Sequence, residues 1–325
     1  MKYYLKKCGH QELGSVINGR PQRGRYLLTS MHTLDFFPPL SETQLNDSAL
    51  LPVIPLYSGK KVYCSYVYHN DKFHGSTAAH PRNEYRIYLN KELEGNHLLF
   101  EVGDIVIIRP EEIEEDSETQ TVYFLDLIKD RESALYQDLD YKTETSAIRG
   151  AYAVYDGRID EFEHKVDAIR SGPETEIVID TSVTARIEHT DNDAVAGLFN
   201  AVSFRDFVMV GYESLCAVTG TVIRHESYLN LEAAHIKPKS HGGLFMPNNG
   251  LALCRDIHWA FDKGFFTLND DFTVKVHPNT TSEWLRSFDG KQIMLPKDQF
   301  FRPSIENIQY HRENVYGLFL KSGRL

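Results

Sequence analysis

Between residues 20 and 128 apolar and polar positions alternate in short runs. KKVYCSYVYHN alternates and is rich in Val and Tyr, which predicts a half-buried strand. NEYRIYLN does the same, with Tyr85, Ile87 and Leu89 on one side and Glu84, Arg86 and Tyr88 on the other. FEVGDIVIIRP reads as a turn at Gly103-Asp104 feeding a continuous apolar strand that ends at Pro110, and TQTVYFLDLI as another strand. Short strands broken by turns predict a barrel or sandwich. Farther on the period lengthens. RIDEFEHKVDAIRSG sets Ile159, Phe162, Val166 and Ile169 at helical spacing and stops at Ser171-Gly172-Pro173. TEIVIDTSVTARIEH reads as a strand segment, and AVAGLFNAVSFRDFVMVGY as a helix. FTLNDDFTVKVHP predicts a hairpin with an Asn-Asp-Asp turn, and PSIENIQYHRENVYGLFLKSG a closing helix started by Ser304. The expected organisation is α+β: a β-rich domain over 1–130, a connector with some structure over 131–195, and a second domain over 196–325.

Composition narrows the class. With 325 residues, 42% hydrophobic and 25% charged, the chain is of ordinary globular make-up. It has no apolar run of the roughly 20 residues that span a bilayer. Its start, MKYYLKKCGHQELGSV, does not read as a signal peptide. Four scattered cysteines fit a reducing compartment, so a cytoplasmic location away from membranes is expected. A net charge of -11 argues against a protein that coats nucleic acid. The charge is uneven, however. Basic residues outnumber acidic ones from Lys60 to Lys91, a candidate contact face. Glu92 to Glu118, with Glu111, Glu112, Glu114, Glu115 and Asp116, is expected to be a solvated surface loop.

The most specific chemistry lies in LEAAHIKPKSHGGLFMPNNGLALCRDIHWAFD, Leu231 to Asp262. His235 ends a short apolar strand, Asn249 sits in a loop and His258 on a following helix. With Cys216-Ala-Val-Thr-Gly upstream and LPKDQFFRPSIENIQYHRENVY downstream, this order resembles the HNH (ββα-metal) nucleases, the subgroup found in bacterial restriction endonucleases, over about 200–320. The resemblance implies His235 as the general base, Asn249 as the residue that holds the loop and orients the base, and His258 as a metal ligand, with Mg²⁺ or Mn²⁺ as the ion.

The sequence departs from that pattern twice. Many relatives carry Asp or His just before the base and use it on the metal; here the position is Ala234, so a ligand must come from elsewhere or be water. Asp262, one helical turn after His258, is a candidate ligand and equally a capping carboxylate. Glu232 shares the strand face of Ala234 but is expected to lie too far along the strand to replace the missing ligand. Many relatives also clamp the motif with two Cys-x-x-Cys pairs around zinc, but here Cys216 stands with Thr219 and Cys254 with Ile257, so no structural zinc is expected. Lys237, Lys239 and His241, in the loop after His235, are phosphate-contact candidates or a solvated loop. His225, His277 and His311 are expected to be structural or exposed, and Arg312 to contact DNA or close a surface ion pair.

A ββα site contacts mainly backbone, so a restriction enzyme needs another surface to choose its target. The run from Tyr68 through Arg82-Asn83-Glu84-Tyr85-Arg86 to Gly103-Asp104 resembles the DNA-binding pseudobarrel of restriction-enzyme effector domains and some plant transcription factors. Arg82 and Arg86 are candidates for guanine or phosphate, Asn83 for adenine, and His69, Lys72 and His74 for phosphate. The alternative is that Arg86 and Glu84 are cross-strand surface partners and the tyrosines are core.

The function implied is a metal-dependent endonuclease of a restriction system, sequence- or modification-directed, cutting double-stranded DNA as a homodimer. Two alternatives remain: an HNH-fold nucleic-acid-binding protein with impaired catalysis, kept open by Ala234, and a nuclease toxin or RNA-directed enzyme.

Overall fold

Alternation explains how one sheet comes to be covered on both faces. Along β1 (Lys2–Lys7), Tyr3 and Leu5 enter one apolar cluster and Tyr4 the other. In the computed structural model, which describes residues 1–325 except 78, 96–97, 116–117, 147–149, 174, 189–196, 226–227 and 322–325, the chain divides into two units, Met1–Leu198 and Phe199–Leu325.

The first unit begins with β1, α1 (His10–Leu13), a small hairpin of β2 (Val16–Ile17) and β3 (Arg20–Pro21), and β4 (Tyr26–Thr29). It continues through β5 (Ser48–Pro55), β6 (Lys61–His69), β7 (Glu84–Tyr88), α2 (Lys91–Glu94), β8 (Ile105–Glu115) and β9 (Glu118–Ile128). The large sheet runs β10-β1-β8-β9-β5-β6-β7-β4, where β10 is Tyr152–Asp156. Tyr4, Leu27, Tyr66, Ile87, Val106 and Tyr123 come from strands across this order yet meet in one cluster, so the sheet curls around them. On the other face, Ile105, Ile107, Val122 and Phe124 pack under α3 (Ala134–Thr145) and α4 (Asp160–Arg170), through Leu139, Phe162 and Val166. Cover on both faces accounts for the unbroken apolar runs of β8 and β9.

Five expectations are corrected. Residues of β6 are buried throughout, not on alternate sides: Val62, Cys64, Tyr66 and Tyr68 enter the inner cluster, and Tyr63, Ser65 and Val67 on the opposite face are covered as well. The strand through Ile105 does not end at Pro110: β8 runs on to Glu115 and pairs with β9 as far as Glu115↔Glu118. Pro110 lies beyond the part of β8 that pairs with β1, where a missing N–H is tolerated. The acidic run is therefore partly strand, with Glu111 paired to Arg109 and Arg170, while Asp116 lies outside the described residues. TEIVIDTSVTARIEH gives only β11 (Ile177–Val178), then turns into α5 (Thr181–Glu188). Asp180 accepts from Ser182 N at 2.7 Å, and Val183 and Ile187 bury one helical face. The segment read as a connector belongs to the first unit: β10 pairs with β1 from Lys2↔Asp156 to Lys6↔Tyr152.

The second unit packs around a strand pair. It opens with α6 (Ala201–Gly211), capped by Asn200, and a small ribbon of β12 (Arg224–His225) and β13 (Tyr228–Leu229). β14 (Leu231–His235) pairs antiparallel with β15 (Gly250–Cys254), and α7 (Arg255–Asp262) follows directly. The predicted hairpin is β16 (Phe266–Leu268) with β17 (Val274–Val276). A short α8 (Glu283–Arg286) and α9 (Ile305–Asn314), started by Ser304, complete it. Arg312 pairs with Asp270 at 2.7 Å.

His311 of α9 is buried. Its Nε2–H donates to Phe261 O at 3.2 Å, its Nδ1 accepts from Thr267 Oγ1 at 2.9 Å, and its ring stacks on Phe261. Both bonds suit the neutral ring, and burial lowers its pKa to about 3. The unfolded chain takes up this proton near the ordinary value of about 6.5, well before the folded one does. The contribution to stability is complete above that value and is lost as pH falls toward about 3. We expect stability to decline on acidification below about 6.5 by up to ~1.4 kcal/mol per pH unit from this group. Urea unfolding across that range checks it, with His311→Gln flattening the dependence.

Candidate active site

The sequence builds the site at the corner where β14, its following loop and α7 meet. Strand alternation sends Ala234 into the core, fully buried, and leaves Ala233 and His235 lining an open cleft of about 420 Å³. The cleft is also lined by Lys239, His241, His258 and Asp262. Five of the residues singled out in sequence, His235, His258, Asp262, Lys239 and His241, thus share one cleft.

Packing orients the His235 ring. It stacks on Phe204 of α6 (centroids 4.4 Å apart) and meets Phe245 edge-on at 5.2 Å. Gly250 lies opposite His235 in the ladder, and a Cβ there would fall 2.3 Å from Val208 Cγ2 and 3.0 Å from Phe204. The glycine lets α6 approach closely enough for Phe204 to reach the imidazole. Among the described residues His235 Nε2 is buried with no hydrogen-bond partner, which leaves Nδ1 as the ring nitrogen for the cleft that His235 lines. Burial, then the charges of Lys239 and His258, lower the ring's pKa to about 4, so it is neutral at pH 7.

Asn249 is buried and holds the loop that starts after His235. Its Oδ1 accepts from Lys237 N at 2.8 Å, and its Nδ2 donates to Lys237 O at 3.1 Å and Leu244 O at 3.0 Å. The Gly-Gly turn closes on the same carbonyl: a Cβ on Gly243 would sit 1.9 Å from Lys237 O. Lys237 Nζ stands over Tyr310 at 4.8 Å and Lys239 Nζ over Phe245 at 4.6 Å.

His258 and Asp262 face each other across one helical turn, Nε2 to Oδ2 at 3.4 Å. Glu232 reaches His258 Nδ1 at 2.7 Å, and Arg255 holds its second oxygen at 3.2 Å. The sequence expects Glu232 too far along the strand to replace the acidic residue missing at Ala234; it meets the site through the His258 ring instead, because α7 crosses the strand pair and brings His258 to it. Sequence spacing gave no signal for this contact, which depends on the angle between helix and strand. Partial burial pushes the Asp262 carboxyl up, with His258 opposing. Among the described residues no group of three or more His, Cys, Asp or Glu stands ready to hold a metal. The donor chemistry nonetheless fits a hydrated divalent ion: one imidazole nitrogen and one carboxylate face each other, and a carboxylate fixes the ring from behind. Glu232→Gln is expected to weaken Mn²⁺ binding about tenfold with the fold intact, read by calorimetric titration and circular dichroism.

Cys254 Sγ lies 3.8 Å from Thr219 Oγ1, and Cys216 is fully buried beside it. Both are free thiols.

In the first unit the candidate DNA contacts are dispersed in character. His69 is buried, with Nδ1 bonded to Asn46 Oδ1 at 2.9 Å and Nε2 to Tyr88 OH at 2.7 Å. Burial lowers its pKa to about 3, so it brings no charge to a phosphate; this candidate is corrected to a structural residue. Arg82 pairs with Asp71 at 3.1 Å and stays partly exposed. Asn83 accepts from Tyr68 OH at 2.9 Å. Arg86 pairs with Glu84 of its own strand and lies over the Tyr26 ring at 3.9 Å. Lys72 and His74 are exposed.

Residues 216–269 match the family model described as an HNH endonuclease. No curated protein matches the chain. A solved structure described as the modification dependent TagI restriction endonuclease aligns at 17% identity over 75% of this chain and 59% of that chain, with a TM-score of 0.29. The chain thus spans about three-fifths of that structure's length. Among the described residues no helix is long and apolar enough to cross a membrane.

Proposed function

We propose that the protein is a metal-dependent endonuclease of a restriction system that cuts double-stranded DNA, with the second unit as the cutting part and the first as the reader. The observation that carries this is the cleft in which a neutral, cleft-facing His235 shares walls with the His258–Asp262 pair, inside the segment that matches the HNH endonuclease model.

Phosphodiester hydrolysis needs a base for water, charge stabilisation at phosphorus and help for the leaving oxygen. His235 Nδ1 takes the proton from the attacking water. The Phe204–Phe245 sandwich fixes the ring's direction, so little reorientation is needed. Lys239, on the same cleft, attracts the scissile phosphate. Asn249 keeps the loop that carries Lys239 closed on the strand end. His258 and Asp262 would hold Mg²⁺ or Mn²⁺, with Glu232 orienting the imidazole, and the bound ion supplies Lewis-acid stabilisation. Cutting both strands with one site per chain calls for a homodimer on a two-fold target.

The test is cleavage of duplex DNAs, unmodified and cytosine-modified, in Mg²⁺ or Mn²⁺ against chelator. Cutting that stops with chelator supports the reading. A folded protein that cuts none of them contradicts it and leaves a binding protein on a nuclease fold.

A further inference from the structure

In the first unit the chain leaves α1 and makes a hairpin that forms its own two-stranded sheet, apart from the large one. Residues 15–24 are exposed throughout. Asn18 (φ 52°) and Gly19 (φ 71°) both take left-handed backbone, so the turn has two residues and the strands twist together. Val16 pairs with Pro21 and Ile17 with Arg20, and Gln22 N bonds Ser15 O at 3.1 Å. The base is anchored: Arg23 Nη2 donates to His10 O at 3.1 Å and also to Gln11 O. The tip is free. Among the described residues no carboxylate pairs with Arg20, which shares a face with Ile17, itself 56% exposed.

Charge marks the partner. The chain carries a net charge of -11, yet residues 13–34 contain no Asp or Glu and include Arg20, Arg23 and Arg25. Arg25 is spent on the buried Glu94 and Arg23 on backbone, so the free cation is the one at the tip. The dimensions agree with one kind of groove. Three residue pairs project about 10 Å at ~3.4 Å per residue, close to the ~8.5 Å depth of the major groove, whose ~12 Å width admits a two-stranded ribbon. An exposed arginine, asparagine and β-branched apolar side chain together offer contacts for guanine, adenine and the thymine methyl group.

We propose that the Ser15–Gln22 hairpin enters the major groove of duplex DNA, with Arg20, Asn18 and Ile17 touching base edges. This deepens the proposed function and rests on it. The β-ribbon works as a rigid finger because its strands are paired and its base is clamped, so it loses little freedom on binding.

The test uses the full-length protein and a labelled pool of short random-sequence duplexes, with sequencing of the bound fraction. Arg20→Glu is expected to lower affinity about tenfold or more and to reduce the salt slope by about one. Arg20→Ala and Ile17→Ser are expected to relax the selected sequence at adjacent positions. Thermal unfolding and metal-dependent hydrolysis of a small phosphodiester stay at the wild-type level. If wild type binds and cuts while all three variants select the same sequences with the same affinity, the hairpin is not a reader and only this inference falls. If a variant alters sedimentation but not DNA affinity, the tip is a protein contact and the inference is likewise overturned. If wild type neither binds nor cuts duplex DNA, the proposed function itself falls.

Discussion

His235→Ala is expected to lower DNA cleavage by about 10²–10⁴-fold while leaving the protein folded. The lost group is the cleft-facing nitrogen that is neutral at pH 7 and so able to accept a proton. The ring also fills space between Phe204 and Phe245, so the variant loses some packing, of order 1–3 kcal/mol. His235→Gln keeps more of that volume and removes the imidazole base. Loss of cutting in both variants, with near-native circular dichroism and retained DNA binding, separates a chemical defect from a folding one. Single-turnover cleavage at saturating protein is the measurement, because it reads the chemical step without product release.

His258→Ala is expected to abolish both cutting and divalent-ion binding. His258 is the hub between Glu232 and Asp262, at 2.7 and 3.4 Å. Without it two carboxylates face one space with no nitrogen donor, and Arg255 remains as the cation near Glu232. Calorimetric titration with Mn²⁺ should give no heat in this variant, against a graded weakening in Glu232→Gln. Equal binding by His258→Ala and wild type means that the ion sits elsewhere. His235→Ala should bind the ion normally, because His235 is not a member of the His258–Asp262 pair; the two variants therefore separate base from ligand.

The second unit was legible in the sequence because its signals are local. The spacing from His235 through Asn249 to His258 follows from one strand pair and one helix, and strand alternation alone turns Ala234 inward. Ser304 and the Asn-Asp-Asp turn also announce themselves within a few residues. What stayed hidden depends on distant parts of the chain. The pairing of β10 with β1 joins residues about half the chain apart, so 131–195 looked like a connector. The continuation of β8 past Pro110 depends on which strand lies beside it. His69 looked like a free cation in a basic stretch, and only burial beside Asn46 and Tyr88 shows it to be neutral. The reach of Glu232 to His258 requires the crossing angle of α7, which no spacing rule contains.

The most direct test is to locate Mn²⁺ by anomalous scattering in crystals of the full chain. The ion should lie about 2.0–2.3 Å from His258 Nε2 and an Asp262 oxygen, with the His235 imidazole facing it across the cleft. An ion bound away from both residues, or a His235 ring turned out of that cleft, contradicts the hydrolytic account.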